Sequence, residues 1–199
     1  MKTRILFAIL PPLCMLSFAG PASSADGHRE IRLSASLTGF NEVTPKLTSA
    51  TGKFSAVVDR SRTSVSFTET FSDLSAPVLF SHIHFGQVGV NGGVMVFLCN
   101  NSTSGPQPRP CPTPGGTVSG TFTAQDVVGP GLAAGAADQG IDPQSLDDVL
   151  AAIASGQTYV NVHSQRWPGG EIRGQVETEE HGKDEHGKKD DEHGKKDKD

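Results

Sequence analysis

The chain has 199 residues, a formal net charge of −5, and 23 glycines against only 6% aromatic residues. One domain's length of weakly charged, glycine-rich, β-branched sequence excludes the electrostatics of nucleic-acid binding and of anionic-membrane binding. It points instead to a small β-rich domain with appendages at both ends.

Met1-Lys2-Thr3-Arg4 is a short basic start, and the apolar run from Ile5 to Phe18 is too short for a membrane span of about 20 residues. Residues 1–25 therefore read as a secretion signal cut after Ala25, or alternatively after Ala22, because Ser23 and Ala25 satisfy the small-x-small rule. No other run is apolar enough to insert in a bilayer, so a secreted or periplasmic mature chain is expected. A short segment, 26–30, would lead into the folded body. Cut after Ala25, the mature chain begins Asp26-Gly27-His28. A free amine, two backbone amides and a third-position imidazole can wrap Cu(II) or Ni(II) in a square plane, which makes His28 a candidate copper ligand.

The body, 31–176, alternates apolar and polar residues in short runs: Ile31 to Leu37, Phe54 to Val58, and Val65 to Phe67 with Phe71 beyond. Asp59-Arg60-Ser61-Arg62 separates two of them as a hairpin turn. Further strands are expected at Val78 to Phe85, Val94 to Cys99, Thr117 to Thr123, Thr158 to His163 and Glu171 to Val176. Leu146, Val149, Leu150 and Ile153 fall at helical spacing, with Asp142 as the expected N-cap and Gly156 as the left-handed stop. The fold class is thus all-β: an antiparallel sandwich or barrel of Greek-key type, about eight strands, with one short helix. Export would leave two cysteines, Cys99 and Cys111, and an even pair outside the cytosol favours a disulfide over a thiolate metal site.

From Glu177 to Asp199 the sequence changes character. Glu-His-Gly-Lys recurs at 180–183, 185–188 and 192–195, and ten acids against six lysines give a net of −4, most of the charge of the whole chain. With no apolar residue after Val176 the segment 177–199 is expected to be disordered, a solubilising tail whose histidines can also collect metal ions.

The chemistry-bearing feature is Phe80-Ser81-His82-Ile83-His84-Phe85-Gly86. Two histidines at i and i+2 of a strand share a face, roughly 6.6 Å apart, with Ile83 and Phe85 pointing to the core. His163, in Val160-Asn161-Val162-His163, is the natural third ligand from another strand. Asn161 shares its face and is placed to hydrogen-bond a ligand. Three neutral imidazoles without thiolates suit copper, with zinc as the alternative. The competing reading has these histidines as structural groups that hold the glycine-rich turn from Gln87 to Gly93.

Leu33-Ser34-Ala35 with Gly39 and Asn41-Glu42-Val43-Thr44-Pro45, then His82-Ile83-His84-x-Gly86 with Asn91-Gly92-Gly93-Val94, then Val160-Asn161-Val162-His163 with Pro168-Gly169-Gly170-Glu171-Ile172-Arg173-Gly174, together resemble a CHRD domain, the module named after chordin. The resemblance covers 31–176 and implies an all-β extracellular domain without implying an activity. The His-x-His strand is also locally similar to copper/zinc superoxide dismutase. That enzyme needs four copper histidines and a separate zinc site, and the body has three histidines, so dismutation is not expected. Glu42, Glu69 and Glu171 are scattered, and no G-x-S-x-G, phosphate-loop or H-E-x-x-H motif occurs. The expectation is a non-enzymatic metal-binding protein, copper first, for binding, storage or delivery. The alternative is an extracellular interaction or adhesion module with a protein partner. A copper-dependent redox activity stays open.

Overall fold

The structure is a computed structural model that describes residues 30–128 and 135–179. The expected secretion signal, His28 and the Glu-His-Gly-Lys repeats fall outside them.

Period-two patterning produces strands where it was expected. They are β1 (Ile31–Thr38), β2 (Thr51–Val58), β3 (Ser64–Ser72), β4 (Val78–Phe85), β5 (Gly93–Asn100), β6 (Gly116–Thr123), β7 (Thr158–Ser164), β8 (Ile172–Gln175) and β9 (Glu177–Glu179). The sheet runs β5-β4-β7-β8-β1-β2-β3-β6, with β9 beside β1. A bridge between Val96 on β5 and Val127, just past β6, brings the two ends of this order together, so the sheet is a nearly closed antiparallel barrel. Asp59 caps the β2–β3 hairpin as its sequence suggests, its carboxylate accepting from the backbone of Ser61, Thr63 and Ser64.

One face of each strand from β1 to β8 fills the barrel. Leu33 and Leu37 of β1, Phe54 and Val58 of β2, Val65, Phe67 and Phe71 of β3, Ile83 of β4, Leu98 of β5, Phe122 of β6, Val160 and Val162 of β7 and Ile172 of β8 form one contiguous core. Each such side chain contributes about 1.5–3 kcal/mol through the apolar surface it removes from water. Cys99 and Cys111 lie in the same core at disulfide-bonding distance, with their Cα atoms 5.0 Å apart.

Two boundaries differ from expectation. The helix α1 spans Leu146–Ala154, and its N-cap is Ser145, whose Oγ accepts from the Asp148 amide, rather than Asp142. Gln144 adopts a left-handed φ of 58°, which turns the chain after Pro143 and prevents a helix from starting at Asp142. Gly156, at φ 71°, does stop it, one residue past the last cap. The expected tail loses its first three residues to β9, where Glu177, Thr178 and Glu179 pair with Ser34, Leu33 and Arg32. Their side chains are all exposed, so the backbone ladder alone orders them, continuing the line on which Arg173 already faces Thr38. No helix among the described residues is long and apolar enough to cross a membrane.

Candidate metal site

β4 and β7 are antiparallel neighbours in a register that sets Phe80 opposite His163, His82 opposite Asn161 and His84 opposite Tyr159. Alternation sends Ile83, Val160 and Val162 into the core and leaves those six residues on the other face of the sheet. The His-x-His pair therefore meets its third imidazole from the adjacent strand. Ring centroids are 5.3 Å apart for His82–His84, 5.1 Å for His82–His163 and 6.2 Å for His84–His163. One ring nitrogen from each lies within 4.8 Å of the others.

Aromatic rings enclose this cluster, and the three histidines are only 4–6% exposed. Phe80 packs on both His82 and His163, with centroids at 4.7 and 4.6 Å, and Phe97 of β5 meets His82 edge-on at 4.1 Å. Tyr159 stacks flat on His84 at 4.6 Å and lies under the Arg173 guanidinium. Arg173 in turn donates to the Gln87 and Val90 carbonyls, which fastens the glycine-rich loop over this end of the site.

Backbone carbonyls decide which ring nitrogens carry protons. His84 Nδ1 meets the Gly92 carbonyl at 3.0 Å and His163 Nδ1 meets the Pro168 carbonyl at 2.8 Å. A carbonyl only accepts, so both Nδ1 atoms are N–H donors and both Nε2 atoms present lone pairs. His84 Nε2 and both nitrogens of His82 have no hydrogen-bond partner in the protein. Burial pushes all three imidazoles down: His82 well below the usual histidine range, His84 to about 3 and His163 to about 4. At neutral pH the cluster is three uncharged imidazoles, the protonation state that binds metal ions.

The surrounding carboxyl groups divide into three kinds. Glu171 is fully buried and well satisfied, accepting from Thr48 Oγ1, the Ser75 amide and Ser164 Oγ, so it ties three segments together. Glu69 reaches across the barrel to Ser81, and burial pushes its carboxyl up to about 8. Ser81 Oγ also lies 3.1 Å from the Asn161 carbonyl. The Ser81 hydroxyl thus has two acceptors in reach, the Glu69 carboxyl at 2.8 Å and the Asn161 carbonyl. Glu42 is 3% exposed and lies beside Asn161 at Gly170, with its Oε1 lacking a hydrogen-bond partner and its carboxyl raised by burial to about 6.

The CHRD domain family matches residues 33–176, nearly three quarters of the chain. The chain belongs to the CHRD family. No curated protein and no solved structure shows significant similarity to it. The extent of the CHRD match coincides with the barrel from β1 to the end of β8, so the histidines, Asn161 and Glu42 are all part of the domain itself. CHRD domains occur in extracellular and secreted proteins, where a Cys99–Cys111 disulfide is at home.

Of the residues nominated from sequence, the CHRD barrel brings His82, His84, His163 and Asn161 together and holds Cys99 and Cys111 apart from them in the core. His28 lies outside the described residues. The three histidines form the only potential ligand cluster found among the described residues. Sequence reasoning passed over Phe80, Tyr159, Arg173 and Glu42. The Asn-Glu-Val-Thr-Pro stretch did mark Glu42, but only the closed sheet shows that it ends beside Asn161.

Proposed function

We propose that this CHRD protein is exported and binds one transition-metal ion, copper first and zinc as the alternative, through His82, His84 and His163, for storage or delivery. The observation that carries this reading is the inward set of nitrogen lone pairs, within 4.8 Å of one another and without protein partners at His82 and His84. Leaving buried acceptors unsatisfied costs about 1–3 kcal/mol each, which an ion would recover. The Nδ1–carbonyl bonds of His84 and His163 are the arrangement that orients metal-binding imidazoles elsewhere. They also do what a structural role would ask, which is to hold loops. The two readings part at His82, which holds nothing. The export signal at 1–25, His28 as a copper ligand and the tail as an ion collector belong to the same proposal, in support of the barrel site.

A second reading, a protein-interaction module, is favoured by one observation. Phe40, Val43, Leu47, Val88 and Val90, the large hydrophobic residues exposed among the described residues, all sit on the two loops that flank Arg173.

Copper titration of the full chain and of His163→Ala, followed by electron paramagnetic resonance, separates the readings. The variant should lose one equivalent of tightly held Cu(II) with nitrogen couplings and keep weaker uptake by the ends. Identical titrations would return the three histidines to a structural role.

A further inference from the structure

Asn161 Oδ1 lies 2.9 Å from His163 Nε2. His163 has spent its proton on the Pro168 carbonyl, so two lone pairs face each other at hydrogen-bond distance. Turning the amide over would cure the conflict by offering Nδ2 to the ring. Glu42 opposes it: a carboxylate oxygen only accepts, and Glu42 Oε1 lies on the nitrogen side of the amide, around the same Gly170 position as Asn161 Nδ2. Glu42 itself is locked: its backbone amide closes the turn onto Gly39, and Asn41 Nδ2 ties that turn to the Arg173 carbonyl. Gly170 completes the fit. A Cβ there would come within 2.5 Å of Glu42 Oε1 and 2.8 Å of Asn161 Nδ2, so only glycine lets the carboxylate and the amide meet.

We infer that Asn161 Oδ1 is a fourth ligand to the ion held by His82, His84 and His163, and that Glu42 is the positioning residue that aims it. This rests on the metal reading of the site. Two donors each about 2.0 Å from one ion sit about 2.8 Å apart at a right angle and about 3.3 Å apart at the tetrahedral angle, and the 2.9 Å observed falls between them. Glu42 Oε1 is itself free of any hydrogen-bond partner.

The test is a crystal structure of the full-length protein grown with Cu2+, together with copper affinity and paramagnetic resonance of Glu42→Gln and Asn161→Asp. The expected result is an ion on three imidazole nitrogens and on Asn161 Oδ1. Glu42→Gln, able to accept or donate, should release the amide, weaken the tightest Cu2+ site at least about tenfold and alter its spectrum. Asn161→Asp keeps an oxygen donor and should retain binding. An ion on the histidines with Asn161 turned away, or Glu42→Gln with parental affinity and spectrum, overturns this inference and leaves the three-histidine site intact. No ion at the histidines removes both.

Discussion

The two halves of the barrel treat their outer faces in opposite ways. In β1, β2, β3 and β6 burial alternates, and the outer face is wet. On it Ser66, Thr68 and Thr70 of β3 meet Thr121, Ser119 and Thr117 of β6 in an exposed row of hydroxyl pairs. In β5 and β7 almost every residue is buried, and β4 is nearly as dry. An antiparallel sheet needs only one dry face to be stable. The second dry face covers polar groups, three imidazoles and an amide, where aliphatic side chains would pack without orphaned nitrogens. A sheet built for stability alone would place Val or Phe there. Local rules are broken on this outer face and kept on the other, the pattern expected of a functional site in an otherwise consistent fold.

The largest expected effect tests the ordinary half. Phe71→Ala removes a ring that is 1% exposed and should cost about 3–5 kcal/mol in denaturant unfolding, with metal affinity of the folded protein unchanged. Next comes pH, where the halves should oppose each other. His84 and His163 have folded-state values near 3 and 4, below the unfolded value of 6.5. The unfolded chain binds the extra protons, so this stability is present above pH 6.5 and disappears as pH falls through 4. Glu69 runs the other way: its value is raised from 4.5 to about 8, so its contribution is full below pH 4.5 and is lost as pH rises through 8. Metal-free protein followed by thermal unfolding should therefore weaken at both low and high pH, and Glu69→Gln should remove the loss that accumulates between pH 4.5 and 8. The smallest effect is the most pointed. His82→Phe replaces two unpartnered ring nitrogens by carbon and should raise metal-free stability by about 1 kcal/mol while eliminating copper uptake at the site. A loss of stability instead would show that His82 has a structural partner.

Much of this was legible in the chain because it depends on residues close in sequence. Alternation located the strands, and i, i+2 spacing put His82 and His84 on one face with Ile83 opposite. The pairing of that face with His163 was an extrapolation that the register of Phe80 against His163 bears out. What sequence could not show is what depends on distant chain segments. Glu42 and Asn161 are 119 positions apart and become neighbours only when the β7–β8 turn places Gly170 beside both. The helix start failed for a local reason, since a left-handed Gln144 has no signature that outweighs an Asp-Pro pair. The β9 pairing failed because its side chains are exposed and polar, leaving nothing for a hydrophobic pattern to register.

The bridge between Val96 and Val127 has a bearing on recognition. Many extracellular β-domains capture peptides by letting them extend a sheet, which requires an open strand edge. Here β5, one end of the strand order, is already engaged by Val127 and, through Val94, by Gly135. Strand addition at β5 would have to displace these bridges, whereas among the described residues the exposed large hydrophobic side chains are Phe40, Val43, Leu47, Val88 and Val90 on the loops.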